Sequence, residues 1–431
     1  MTANFSAQGG EAQINLFEIL AESGKESLTI TPFELNYYES LLDHTIRLTL
    51  QVADTGYRTK TSENAVAVRS QDLDGRYVNL KVTDAYQNEL KFIGENKLRI
   101  SNKTGTQESV NKMFFTLHLT SPEYHRNGEL RSAVTKSYDG HPDESVRRIL
   151  KEYIQTTKTV DADSTLNTLS FNGHSESPFF LCTWLASRSV PDIQKANQNF
   201  AGYFFYETAD GYKFKSIDKL FSQTPKRKLI MNQIIGEIPP GYDGKVLDHT
   251  FVETFDLNHQ KRYASGKSQI RTFDPFSQTY VQTDFDFQKL YQQTNTGGIN
   301  PIQYGDDQEE VVSRYFTHLD TGVKLPGTVE EQLKKSNEVN YNPYDIFRQA
   351  KMRYNSLYNI KLSLVIAGDL SLRAGDLLYC DFPEVSGEKT KVVDSEKSGL
   401  YMIHDVCHRI TKNGFFSGIN LVRESIGRKP F

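Results

Sequence analysis

Glu34, Asp43 and Thr49 stand at a Glu-x8-Asp-x5-Thr spacing. A carboxylic acid, a second carboxylate and a hydroxyl able to hold water are the groups that glycoside hydrolysis requires. Yet Asp43 is followed by His44 and Thr45 and then at once by the alternation Ile46, Leu48, Leu50, Val52. That pattern is a half-buried strand and leaves no room for a cleft, so the expectation is two solvated acids flanking a strand. His404 and His408 would form a metal pair on a helix, but their segment reads as strand, where four residues span roughly 13 Å. They are expected in a core or an interface. Asp161-Ala162-Asp163 lacks the remaining positions of a calcium loop, and Pro225-Lys226-Arg227-Lys228 reads as a solvated basic loop. Cys182, Cys380 and Cys407 are the three cysteines, an odd number without CxxC spacing, which argues against both a disulfide framework and a thiolate zinc site. No phosphate-binding Gly-Lys-Ser/Thr segment, Gly-x-Ser-x-Gly elbow or dinucleotide fingerprint is present. The expectation is a chain with no catalytic residue, no cofactor and no metal, and therefore a structural role.

Composition agrees with that role. The 431 residues carry a net charge of -4 and 12% aromatic residues, with 23 Tyr and 26 Phe against one Trp. The length suggests roughly two to four domains. The charge argues against nucleic acid or an anionic membrane as the main partner. Tyr and Phe in this abundance favour strands and subunit interfaces. Met1 to Gln13 is polar and no long apolar run follows, so a soluble protein made in a cytoplasm, with no membrane insertion, is expected.

Strand signals dominate both ends. From Ile14 to about Ser121 alternating runs such as Phe115, Leu117, Leu119 are separated by turn residues at Asp74-Gly75 and Gly94, with a further run at Val66-Ala67-Val68. After Pro122 the period changes. Val146, Ile149, Leu150, Tyr153 and Ile154 fall on one helix face behind an acidic first turn, and a second helix, apolar nearly all round and so expected to be buried, begins at Ser177-Pro178. Tyr203 to Tyr206 and Tyr212 to Lys215 flank Asp210-Gly211 as a hairpin. Residues 241–340 are polar, with an acidic run Asp306-Asp307-Gln308-Glu309-Glu310 expected as exposed loop, and a helix is expected to begin near Asn342-Pro343. Two Gly-Asp pairs, Gly368-Asp369 and Gly375-Asp376, then punctuate the chain seven residues apart, between the strand faces Leu362, Leu364, Ile366 and Leu378, Cys380, Phe382. The last strands run from Tyr401 to Ile410 and from Phe415 to Val422, across Asn413-Gly414.

The order of these elements resembles the baseplate central hub proteins of contractile-tailed bacteriophages. Three segments carry the resemblance: the leading barrel ending at Phe115 to Ser121 followed by the helix at Glu144 to Leu150; the hairpin Gly202 to Phe214; and the Gly368 to Leu378 turn pair with Tyr401 to Arg409 and Ile419 to Arg423. It implies an α+β, mainly β fold of two tube-type antiparallel β-barrel domains with intervening α/β and mixed peripheral domains. The corresponding division is a first barrel at 1–125, an α/β peripheral domain at 126–200, the first part of the second barrel at 201–240, a mixed peripheral domain at 241–345 and the rest of the second barrel at 346–431. The turns of the second barrel would be Gly368, Asp369, Gly375 and Asp376, with Leu362, Leu364, Ile366, His408 and Leu421 on barrel strands and at a possible interface. The family implies a homotrimeric ring of pseudo-sixfold symmetry in the virion, bound to a tail tube protein, a central spike protein and baseplate wedge proteins, with phage DNA passing through its lumen without specific binding. The alternative is a tail-associated cell-wall hydrolase, since the Glu34, Asp43 and Thr49 spacing is that of phage-type lysozymes, although their Gly-rich hairpin and Gly-x-Gly-His segment are missing.

Overall fold

The computed structural model describes residues 10–20, 27–28, 31–54, 73, 75–109, 112–192, 201–231, 238–252, 267–275, 277–285, 294–301, 311–320, 322, 327–336, 340, 346, 349–384 and 393–429. The run at Val66 to Val68, the acidic run 306–310 and the helix start at Asn342-Pro343 lie outside them. The fold is mainly β, built on a sheet of 14 strands.

The first barrel comprises β1 (Ala12–Leu20), β2 (Ser27–Leu28), β3 (Thr31–Ser40), β4 (Arg47–Asp54), β5 (Tyr77–Asp84), β6 (Glu89–Phe92), β7 (Leu98–Ser109) and β8 (Lys112–Thr120). They lie in the order β1-β5-β7-β8-β4-β3, with β2 on β1 and β6 on β5. Period-two alternation decides which face is buried. Leu48, Leu50 and Val52 of β4, Val78, Leu80 and Val82 of β5, and Phe115, Leu117 and Leu119 of β8 all point into one core.

A peripheral unit follows. Here β9 (Ser137–Gly140) pairs with β11 (Leu169–Asn172), β10 (Val160–Ala162) runs parallel to β13 (Gly211–Ser216), and β12 (Tyr203–Thr208) forms the hairpin with β13. The helix Pro142–Ile149 continues through the wide turn Leu150–Ile154 and buries Val146, Ile149, Leu150 and Ile154 against this sheet. The helix Pro178–Ala186 buries Phe179, Cys182 and Leu185, but Phe180 stays half exposed. The hairpin, expected in the second barrel, belongs to this separate sheet. All six residues of β12 are buried: Tyr203 and Phe205 face the helices while Phe204 and Tyr206 face the second barrel. Such a strand packs against a neighbouring sheet without pairing to it, and its continuous apolar run hides which layer it joins.

The short helix Ile217–Phe221 leads into β14 (Arg227–Ile230), β15 (Gly244–Val252), β16 (Lys267–Asp274), β17 (Thr279–Phe285), β18 (Asn300–Pro301), β19 (Val311–His318), β20 (Ile360–Ala367), β21 (Leu377–Asp381), β22 (Gly399–Thr411), β23 (Gly414–Arg423) and β24 (Ser425–Ile426). The ring β22-β21-β14-β15-β20-β23 closes through β22–β23 pairing, giving a closed six-strand barrel. It is not wholly antiparallel, because β14 runs parallel to both β15 and β21. Nor is 241–345 wholly peripheral, since β15 is a barrel stave. β17, β16 and β19 form a sheet of their own. Leu362, Leu364, Ile366 and Leu421, expected as possible interface residues, instead fill the barrel interior at 1%, 1%, 4% and 0% exposure. The same alternation that makes them strand residues turns them inward, out of reach of any neighbouring subunit.

The two barrels share a strand. β22 pairs with β21 over Gly399 to Met402 and with β3 over Asp405 to Ile410, while β23 accompanies it from Met402 to Thr411. The first sheet is closed by a bridge, where the Gly10 and Phe415 amides each donate to the other's carbonyl at 2.9 and 2.8 Å. Ile410, Phe415 and Leu370 from the C-terminal segments thus sit in the first barrel's core. Between β20 and β21, the segment Gly368 to Asp376 crosses this junction. A Cβ on Gly368 would lie 2.2 Å from the Phe415 ring, and Gly375 adopts φ +88° with the Tyr206 hydroxyl 2.4 Å from where a Cβ would stand. The Gly375 amide donates to the Ile403 carbonyl at 2.9 Å and the Ile403 amide to the Asp376 carbonyl at 2.8 Å. Gly375→Val combines a strained backbone, about 1 to 3 kcal/mol, with a steric clash. The expected outcome is a chain that loses soluble expression or melts well below wild type in a thermal unfolding scan; an unchanged melting temperature contradicts the geometry.

Candidate functional site

The Gly368 to Asp376 segment is held by charge. Asp369 accepts from its own turn at Ser371 N (2.9 Å) and from Arg227 Nε (2.9 Å), while Asp376 accepts from Arg373 N and Lys226 Nζ, both at 2.8 Å. Lys226 also donates to the Ser371 carbonyl at 2.6 Å. The basic run expected as a solvated loop is therefore a clasp, and its Arg227 opens β14. The sequence hid this because the clasped carboxylates lie some 150 positions away.

Beneath the clasp is a buried polar seam. His408 is fully buried between the barrels, its ring parallel to that of Tyr37 at 6.1 Å. Its Nε2 lies 3.1 Å from the Leu372 carbonyl, which can only accept, so that nitrogen carries the hydrogen and Nδ1 accepts from Ser417 Oγ at 2.8 Å. Ser417 in turn accepts from the Asp369 amide at 3.1 Å. The Ser417 link, in which Nδ1 accepts, requires a neutral imidazole. Burial pushes the His408 pKa down to about 4, and the nearby Arg373 guanidinium acts in the same direction.

Glu39 projects inward from β3 and accepts from the Tyr37 hydroxyl (2.6 Å) and the amides of Ala209 (2.8 Å) and Ala374 (2.9 Å), with Arg373 Nε at 3.6 Å. Burial raises its pKa, and Arg373 opposes the rise. A second node holds the hairpin from the other side. Glu207 accepts from Ser121 Oγ (2.7 Å), the Ile46 amide (3.0 Å) and Lys158 Nζ (2.6 Å), and Lys158 also meets Glu123 at 3.0 Å. Burial raises the Glu207 pKa against the pull of Lys158; for Lys158 burial acts downward, but the two carboxylates win and its pKa rises. Sequence reasoning missed both nodes. Period two offered a signal, since Leu35, Tyr37 and Glu39 share one face of β3, as Tyr203, Phe205 and Glu207 share one face of β12.

On its other face the shared sheet is concave. A hollow of about 970 Å³ runs from β7 and β8 across β4, β3 and β22 to β23 and β20, with Asn102, His118, Thr49, Tyr38, Asn420 and Ser363 among its lining residues. Ion pairs border it, Arg47 with Asp43 at 2.9 Å and Arg409 with Glu34 at 3.1 Å, and Asp405 lies 2.8 Å from His404 Nδ1. Its lining mixes polar and apolar groups, and Asp43, Arg47 and Asp405 are among the charged residues there. Glu34 and Asp43 are each engaged by their own arginine, and the run of β3 from Glu34 to Ser40 alone covers roughly 20 Å, whereas paired glycosidase carboxylates stand about 5 to 10 Å apart. The structure does not bring them together. His404 and His408 also part company, with His404 beside Asp405 and the Tyr358 ring and His408 in the seam. Asp161 and Asp163 bind Lys213 and Lys215. Among the described residues no group of His, Cys, Asp or Glu is placed to hold a metal, and no helix is long and apolar enough to cross a membrane.

No protein-family model matches the chain, and no curated protein matches it by sequence. Solved structures do share its fold. The tail protein from Neisseria meningitidis MC58 superposes with a TM-score of 0.54 at 8% identity, over 95% of this chain and 97% of that one. The 43 kDa tail protein of prophage MuSo2 from Shewanella oneidensis gives 0.53 at 9% identity, over 97% and 100%. At such identities the likeness is one of fold, and it spans both barrels and the units between them.

The folded state excludes a proton from His408 that the unfolded chain binds with its ordinary pKa of 6.5. Stability from this group is present above 6.5 and is lost as pH falls towards 4, a change on the order of 3 kcal/mol. Glu39 and Glu207, raised by burial, act with the opposite sign, so the variant difference isolates the histidine. His408→Gln should remove this slope. Urea midpoints of both proteins from about pH 4.5 to pH 7 check it; a wild-type to variant difference that does not move with pH contradicts a neutral, buried His408.

Proposed function

We propose that this chain is a structural, non-catalytic hub subunit of a phage tail baseplate, acting as a homotrimer. The observation that carries the reading is the fusion of two barrels through β22 into one sheet with a concave outer face, in a fold shared with phage tail proteins. Three copies present six barrels, and a ring of six quasi-equivalent modules matches a sixfold tail tube on one side and a threefold spike on the other. One chain then bridges two symmetries. A lining with few basic groups would let DNA pass without gripping its phosphates, since affinity for that backbone scales with exposed basic charge. In this reading the concave face lines the lumen, the peripheral unit and the β17-β16-β19 sheet lie outside it, where wedge proteins bind, and the protein resides in the virion. The hydrolase reading draws no support from the placement of Glu34 and Asp43.

The test is mass in solution. Light scattering and native mass spectrometry of the purified chain, alone and with its tube and spike partners, should give a trimer burying well over the roughly 2,000 Å² of a permanent interface. A monomer that neither partner assembles contradicts the hub assignment; a monomer that trimerises on its spike keeps the function and changes the order of assembly.

A further inference from the structure

The concave side of the two barrels is the same four strands built twice, in the same register. In the first barrel Asn36, Thr49, His118 and Asn102 form one row across β3, β4, β8 and β7. In the second, Thr250, Ser363, Asn420 and Asp405 form the matching row across β15, β20, β23 and β22. The register breaks coincide as well, before Glu34 in β3 and Asp248 in β15, and before Asn102 in β7 and Asp405 in β22. β7 is therefore the counterpart of β22, and β15 that of β3. The counterparts differ in one respect. Within the chain β22 and β3 pair with each other, Cys407 opposite Tyr38 and Arg409 opposite Asn36. Among the described residues β7 beyond Ile100 pairs only with β8, and β15 beyond Lys245 only with β20. These two edges end the concave sheet β7-β8-β4-β3-β22-β23-β20-β15. At each of them a side chain meets the next amide: Asn102 Oδ1 accepts from Lys103 N and Asp248 Oδ1 from His249 N, both at 2.8 Å. Such local bonds stand in for a ladder that is missing, and an edge without a ladder is a template for another strand.

We propose that the β7 edge of one copy pairs with the β15 edge of the next, antiparallel and head to tail, repeating between copies the junction that β22 and β3 make within the chain. The proposal rests on the ring-forming role above and specifies its contact. The internal repeat selects the occupant, since an edge of the β3 kind meets an edge of the β22 kind, and a second copy of this chain presents that combination. Neighbouring strands of the concave sheet all run antiparallel. With eight of them β7 and β15 run in opposite directions, so the same antiparallel contact recurs at every step of a rotation that closes. Pairing of like edges about a twofold axis would cover one edge of each copy and leave the other in water. The register follows from the correspondence. Thr104 and Cys407 are counterparts, opposite Thr116 and Gly418, as are Gln107 and Arg409, opposite Phe114 and Phe416. Thr104 then stands opposite Val252 of the next copy, and Gln107 opposite its Thr250. All four positions are exposed.

The test is disulfide trapping in the full chain, alone and with its tube and spike partners. Opposite residues of an antiparallel pair hold their Cα atoms about 4.5 to 5.5 Å apart, within reach of a disulfide. On mild oxidation the double variants Thr104→Cys with Val252→Cys, and Gln107→Cys with Thr250→Cys, should each give a covalent trimer on a non-reducing gel. Trapping should be about tenfold faster than in the misregistered Thr104→Cys with Thr250→Cys. The four single variants measure the background from the native cysteines and should give no covalent trimer. Both reduced double variants should melt with the wild type, and either pair alone is sufficient should the other fail to fold. A trimer by light scattering in which neither pair is trapped, or in which Thr104→Cys links only to itself, overturns the edge pairing and leaves the ring-forming role standing. A chain that stays monomeric with both partners overturns the two together.

Discussion

Strand β22 can serve two barrels only if its inward side chains suit two interiors along one run of chain. The register shift between Ile403 and Asp405 puts Ile403 and Val406, three residues apart, in one core, and the Val406 face then continues through His408 to Ile410 at the other barrel. Ile403 and Val406 belong to the second barrel's core and Ile410 to the first. His408 lies at the crossing, where a wholly apolar side chain would leave the Leu372 carbonyl and the Ser417 hydroxyl unmatched. The remaining architecture depends on that strand. β3 is fixed by pairing to β22, the first sheet closes on Phe415 of the adjoining hairpin strand, and the Gly368 to Asp376 segment threads the space left between the barrels.

Burying charge at such a seam is costly unless each ion is met. The seam meets this condition by drawing partners from elements far apart in the chain: Glu39 from the first barrel, Arg373 from the second, and the Ala209 amide from the hairpin. Removing one partner strands the others, so these contacts fix how the barrels and the hairpin sit on one another more than they add net stability. On the outer face of the same sheet, by contrast, Arg47 meets Asp43 and Arg409 meets Glu34 in partly exposed pairs.

Much of the fold was legible because period-two alternation is a local property. Leu48, Leu50 and Val52 announce both a strand and its buried face. The mainly β class, both barrel ends and the helices at Pro142 and Pro178 come from such signals. What escaped is what locality cannot carry. β12 is apolar on both faces, so no alternation reveals which sheet it joins. β14 is four residues long and begins in a basic run that looks like loop until the distant Asp369 and Asp376 are beside it. Leu362, Leu364, Ile366 and Leu421 are strand residues in sequence and in structure, but whether an apolar face meets a barrel interior or another subunit depends on closure, which pairing across the whole chain decides. Glu39 and Glu207 could have been found, as charged residues at inward positions of their strands.

The central claim is that the two barrels are one cooperative unit through β22. Hydrogen exchange of the native chain tests it most directly, since protected amides report the opening that frees them. The account predicts that the β3 and β4 amides exchange only through the same opening that exposes β20, β22 and β23. Exchange of β3, β4 and β8 through a separate, lower-energy opening, with the second barrel still protected, would contradict it.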